Sequence, residues 1–129
     1  MSLTNAFETH ALQYLLTTDS VTRPTAWYIA LFTSDPTDTG TAGTEVSTGT
    51  GYARTAVTFT VTGDTASNSA AVEFPAASGG NWGTVSHIGV MDAASGGNMI
   101  IHSALDVAKA INDGDVFRIP TGDLDVTAA

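Results

Sequence analysis

GNWGTVSHIGVMDAASGGNMIIHSAL, running from Gly80 to Leu105, is the stretch that decides the fold. From Trp82 to Met91 its residues alternate. Ile88 and Val90 fall on one face, and Val85, His87 and Met91 on the other, the period-two pattern of a strand. Asp92-Ala93-Ala94-Ser95-Gly96-Gly97-Asn98 follows as a reversal, because paired glycines supply positive φ without steric cost. Met99-Ile100-Ile101 then returns to dense apolar character, which predicts a strand covered on both faces and central in its sheet. The hairpin holds no reactive constellation, so it is a scaffold.

Working outward, the rest of the chain carries the same grammar. Trp27–Phe32 (WYIALF) is an apolar run of β-formers and predicts a buried strand, stopped by Thr33-Ser34-Asp35-Pro36. Thr37–Gly51 is rich in Gly and Thr and predicts a long surface loop, anchored near its middle by Glu45-Val46. Tyr52–Val61 alternates again, with Ala53, Thr55, Val57, Phe59 and Val61 sharing a face opposite Tyr52 and Arg54. Short strands are expected at Ala70–Phe74, Val116–Ile119 and Leu124–Val126. Ala104–Ile111 reads equally as strand or helical turn. About seven short strands at roughly ten-residue spacing predict a mainly β fold, an antiparallel β-sandwich of jelly-roll-like or Ig-like kind. With 129 residues and no internal linker, the expectation is one domain spanning 1–129.

One helix stands apart, over Leu3–Leu16 and ending by about residue 17. Leu3, Phe7, Ala11 and Leu15 recur at i, i+4 spacing, and Leu12 and Leu16 widen the stripe. Ser2 or Asn5 is placed to cap it, with Glu8 completing a capping box from Asn5. The stripe either packs on the domain's own sheet or docks on a neighbouring subunit. Leu3, Phe7 and Leu15 are therefore candidate partner contacts, and cutting away Leu3–Leu16 is expected to weaken assembly more than the sandwich.

Composition narrows the function. Net charge is −9 with only four cations, Arg23, Arg54, Lys109 and Arg118, too few for a phosphate-tracking stripe, so nucleic acid is not an expected partner. Charged residues are 13% of the chain against roughly a quarter in typical domains, and Thr, Ser, Ala and Gly take their place. The N-terminal MSLTNAFETH lacks the basic and apolar regions of a secretory signal, and no run approaches the roughly 20 apolar residues of a membrane span. Synthesis in the cytoplasm without membrane insertion is expected. There is no cysteine, hence no disulfide framework and no thiolate metal site.

Reactive chemistry is not evident. The 13 acids offer no pair singled out by spacing. No serine occupies a G-x-S-x-G elbow, and Gly79-Gly80 and Gly96-Gly97 do not open a helix after a strand. His87 and His102 are placed to face each other across the hairpin, but two imidazoles without a third ligand do not make a metal site. Asn112-Asp113-Gly114-Asp115 lacks the spaced carboxylates of a calcium loop and reads as a turn, and Asp35 and Asp38 are no stronger. The expectation is a non-enzyme without metal or cofactor. Trp82 and Tyr52 remain candidate exposed contacts, suited to a sugar face, although core packing is the commoner fate of such rings. Glu45, at the loop's anchor, is a further candidate contact.

Four segments in order, WYIALFTSDP (Trp27–Pro36), GYARTAVTF (Gly51–Phe59), WGTVSHIGVMDAASGGN (Trp82–Asn98) and GDVFRIPTGDLDVT (Gly114–Thr127), resemble small phage tail-fibre-like virion structural proteins. The resemblance implies a virion protein, released from the host by lysis. It also implies assembly with copies of itself and with other virion proteins, and contact with a host receptor as a possible duty of the Thr37–Gly51 loop. Two other roles stay open at this point: capsid decoration by the same fold, and a free carbohydrate-binding module using Trp82 and Tyr52.

Overall fold

The computed structural model describes residues 1–128, and its backbone is mainly β with one helix. In chain order the elements are β1 (Ser2–Leu3), α1 (Asn5–Leu16), β2 (Tyr28–Phe32), β3 (Thr55–Ala56), β4 (Phe59–Thr62) and β5 (Thr65–Asn68). They continue with β6 (Val72–Glu73), β7 (Gly83–Met91), β8 (Met99–Ile111), β9 (Arg118–Ile119) and β10 (Asp125–Thr127). A five-stranded sheet of order β1-β8-β7-β2-β3 forms one layer. Opposite it lie a three-stranded sheet, β10-β5-β4, and a two-stranded one, β6-β9. All pairings are antiparallel, which makes the β-sandwich expected from the strand pattern.

The core fills the space between these layers. Ile29, Leu31, Val85, Ile88, Val90 and Ile100 meet Val72, Phe74, Phe117, Ile119 and Leu124 in one cluster. Burying such side chains contributes about 1.5–3 kcal/mol each. The other face of the large sheet is covered too, by a smaller cluster of Ala30, Phe32, Met91 and Met99. β2 therefore has both faces buried, which is why WYIALF shows no alternation.

The central hairpin forms as expected, with Gly96 and Gly97 at φ +62° and +70° in its turn. Its face assignment needs correction at Val85, which joins Ile88 and Val90 in the main core. The ladder explains why. Val85 faces Lys109 while His87 faces Ala104, so Ser86 stands alone against Leu105–Ala108. This bulge shifts the alternation, and Asp106–Ala110 of β8 are exposed. The histidine pairing is corrected by the register on the turn side of that bulge, where a second shift falls between Val90 and Met91: Gly89, not His87, lies across from His102.

Other boundaries also move. The single strand expected over Tyr52–Val61 is two strands, β3 on the large sheet and β4 on the opposite layer. The chain crosses between them at Val57 and Thr58, so Tyr52 and Val57 are both buried despite their opposite parity. β5, with the polar sequence Thr-Ala-Ser-Asn, has no hydrophobic signature and was not expected. Ala104–Ile111 resolves as strand. The helix begins at Asn5, because Ser2–Leu3 is paired to His102 and Ile101 of β8. Thr4, not Ser2 or Asn5, occupies the N-cap, and no side chain caps the helix. The Thr4 hydroxyl instead donates to the Met99 carbonyl at 2.7 Å.

Candidate functional site

Three features of the surface come from this scaffold. The first is a tether between the Thr37–Gly51 loop and the central turn. The loop folds back so that Glu45 bridges to Phe32 and Val46 is buried. Gly51, at φ +81°, then reverses the chain into Tyr52 and Arg54. Arg54 grips Glu45 with both arms of its fork, Nε to Oε2 at 2.9 Å and Nη2 to Oε1 at 2.8 Å. Its remaining nitrogen, Nη1, donates to the carbonyls of Ala93 at 3.0 Å and Gly96 at 2.7 Å. The Tyr52 hydroxyl donates to Glu45 Oε2 at 2.6 Å and accepts the Leu31 N–H at 3.1 Å.

Electrostatics follow from this geometry. Burial pushes the Glu45 carboxyl upward, but hydrogen bonds from Arg54 and Tyr52 outweigh it and leave the group below its ordinary value. Burial first, and then the bond to Glu45, push the Tyr52 hydroxyl far up, so it stays a donor. The hydrogen bonds to Glu45 hold Arg54 charged. The network carries no reactive group free to act on a ligand, and its effect is to fix the loop against the sheet and the hairpin turn.

The second feature is the outer face of α1. None of its residues is buried. Phe7 reaches the core and packs edge-on against His10, with ring centroids 4.9 Å apart. Beyond that turn the helix stands clear: Leu12, Tyr14, Leu15 and Leu16 are 59%, 75%, 71% and 76% exposed. A groove of about 450 Å³ runs between the helix and Val21–Pro24, lined by Leu3, Phe7, Ala11 and Tyr14. Arg23 at its edge also borders a second depression of about 290 Å³ lined by Trp27, Phe59, Val61 and Ile101. Both depressions are lined mostly by apolar side chains, and Arg23 borders each.

The third feature is a meeting of histidines from within β7 and β8 with aspartates of the turn after β2. His102 Nε2 lies 2.9 Å from Asp38 Oδ1. Asp35 Oδ1 is 3.9 Å from His102 Nδ1 and 4.0 Å from His87 Nε2. Among the described residues, no group of three or more such side chains is arranged so that it could hold a metal ion.

The architecture is that of a β-sandwich with a loop bonded to its body and a helix whose outer face is uncovered. The chain matches a family model described as podophage GP4 fiber I protein gp80, over residues 2–127. It belongs to that family. The fiber protein is thus a structural, tail-fibre-like component of the virion. Comparison with curated proteins finds no match.

The candidate contacts of the fiber protein separate into two groups. Leu3 and Phe7 line the helix groove, and Leu15 lies exposed on the same helix. Tyr52 and Trp82 do not present contact surfaces: they are 6% and 5% exposed. Trp82 packs edge-on to Tyr52 at 5.4 Å and its Nε1 donates to the Thr50 carbonyl at 2.8 Å. A sugar platform built on these two rings therefore has no exposed ring face. Glu45 is half-buried and engaged by Arg54. Sequence reasoning missed Arg54 as the tether's centre. The available signal was its rarity, as one of four cations, beside a glycine-rich loop containing an isolated glutamate.

Proposed function

We propose that the fiber protein is a self-associating structural module that docks on neighbouring virion proteins through the apolar face of α1, leaving the Thr37–Gly51 loop outward as the host-facing surface. The observation that carries the reading is the exposure of Leu12, Tyr14, Leu15 and Leu16 on a helix whose Phe7, Ala11 and Tyr14 line an apolar groove. Covering a leucine contributes about 1.5–3 kcal/mol, so three leucines per copy supply several kcal/mol toward association. With a net charge of −9, copies repel one another at long range, and an apolar contact is the means of overcoming that. The Glu45–Arg54 tether supports the loop's role, since a contact surface held in place loses less entropy on binding. In this reading the whole of 1–129 is one folding unit, made in the host cytoplasm and released by lysis.

The test charges the helix and spares its anchor, because Ser2–Leu3 and Thr4 are joined to β8. Native mass spectrometry of a Leu12→Glu, Leu15→Glu, Leu16→Glu variant is expected to give a monomer where the unmodified protein gives an oligomer, with unchanged circular dichroism. An oligomer that survives the triple substitution would sink the proposal, as would a monomeric unmodified protein.

A further inference from the structure

We propose that the α1 groove of one copy receives the β8 bulge of a second copy, with Arg23 meeting Asp106 and Glu8 meeting Lys109 across the contact. This contact rests on the self-association proposed above and names the surface that covers the helix. Four cations stand against 13 acids, and two of the four are engaged within the chain. Arg54 is bound to Glu45, and Arg118 stands directly across from Glu73 between β9 and β6. Arg23 and Lys109 have no ion pair among the described residues. Both lie beside apolar surface. Arg23 borders the two depressions next to α1, and Lys109 lies two residues after the exposed Val107 of β8.

The bulge has the form of an insert. β7 offers only Ser86 opposite Leu105–Ala108, and β1 pairs no farther along β8 than His102. The backbone of Asp106 and Val107 therefore has no partner strand on either side, and such an edge invites pairing with another chain. Val107 is 71% exposed, more than any other large apolar side chain outside α1. Asp106 beside it makes no ion pair among the described residues. The other two exposed valines lack this combination. Val61 has no acid beside it, and Asp115, beside Val116, already accepts the Asn112 N–H.

The receiving side is complementary. Leu3, Phe7, Ala11 and Val21 wall the groove, and Arg23 stands at its edge. Glu8 precedes Leu12 by four residues and Leu15 by seven, so it shares their exposed side of the helix. The groove side thus presents a cation and an anion about an apolar centre, and the bulge presents an anion and a cation about Val107. Opposite charges across an interface select the partner and its register, here in a chain whose net charge of −9 works against association. His10 lines the same groove, and its Nδ1 is buried without a hydrogen-bond partner among the described residues. The chain leaves that group unmet, and the unpaired amides of the bulge are donors of the kind it lacks. Groove and bulge are different patches of one copy, so the contact is heterologous and the assembly closes as a ring or extends as a filament.

Analytical ultracentrifugation of the full chain tests the contact by charge exchange. Arg23→Asp and Asp106→Arg should each weaken association about tenfold or more, with unchanged circular dichroism, and combining them should restore it to within about threefold of the parent. Val107→Glu, at an exposed position, should weaken it by a similar factor. Association that is unchanged in Asp106→Arg and Val107→Glu overturns the bulge as the partner surface. If Leu12→Glu, Leu15→Glu, Leu16→Glu still gives a monomer in that case, α1 meets another surface and self-association through the helix stands. Single reversals that weaken association without recovery in the double variant overturn the pairing of Arg23 with Asp106. A monomeric parent overturns both the contact and the self-association on which it rests.

Discussion

Replacing Arg54 with methionine keeps the aliphatic stem and removes every contact of the guanidinium. Four hydrogen bonds go: two to Glu45 and one each to the carbonyls of Ala93 and Gly96. Hydrogen bonds involving a charged group are worth about 1.5–3 kcal/mol each before non-additivity, and stranding one partner of a buried pair costs about 3–5 kcal/mol. Arg54 is 10% exposed but Glu45 is 26% exposed, so water screens part of the stranded charge. The expected loss near neutral pH is about 3 kcal/mol, or roughly 10 °C in thermal midpoint for a chain of this size.

The pH dependence gives the reasoning its sharper test. In the parent protein the Glu45 carboxyl sits below its ordinary value of 4.5, so its stabilisation is present above that pH and lost as pH falls through the folded-state value. In Arg54→Met, burial remains while the principal compensating bonds are gone, so the carboxyl moves up and its charged form destabilises the fold. Acidification weakens the parent at this site and relieves the variant. The stability gap measured by urea denaturation should therefore shrink by about 1 kcal/mol between about pH 7 and about pH 3.5. Arg54→Lys restores charge without the fork and should recover less than half of the loss. A gap below about 1 kcal/mol at neutral pH, or one that does not change with pH, would refute the tether as a stabilising device.

Two further substitutions probe the backbone around the same loop and the opposite layer. Gly51→Ala places a methyl group 2.7 Å from the Ala76 carbonyl oxygen at a φ of +81°, and should cost about 2–3 kcal/mol in urea denaturation; a loss under about 1 kcal/mol would mean that the segment yields easily. Asn68 is 2% exposed and bonds the carbonyls of Ala70 and Pro120 and the N–H of Leu124. Asn68→Ala should cost about 3 kcal/mol by leaving these groups unpaired, and a near-neutral effect would show that water replaces the amide there.

What the sequence discloses and what it hides differ for physical reasons. The Trp27–Phe32 and Met99–Ile101 strands are legible because burial on both faces writes a dense apolar run, and the central turn because its glycines adopt positive φ. The bulge at Ser86 leaves no such mark. It depends on how many residues of β8 stand opposite one residue of β7, a property of the pair and not of either strand. β5 is hidden because Thr65–Asn68 draws its stability from two neighbouring strands and not from apolar side chains. The expected face of Tyr52 fails for a related reason: alternation holds only while a chain stays in one sheet, and this one changes layers at Val57–Thr58.

The same logic separates the candidate contact residues whose surroundings could be read from those whose surroundings could not. The apolar stripe of α1 is a local pattern, visible without knowing what surrounds it, and its exposure follows because the helix touches the body only near its first turns. Tyr52, Trp82, Glu45 and Arg54 acquire their roles from partners distant in sequence. Arg54 and Gly96 lie 42 positions apart, and nothing in the chain between them signals that one will bond the other. In a chain with four cations, placing one almost wholly out of water is a choice against solubility. It leaves the outer surface more uniformly acidic and the loop more firmly held. Under the proposed docking a fibre component would gain from both: the held loop would offer a defined shape to a partner, and the acidic surface would discourage contacts other than those through the apolar helix face.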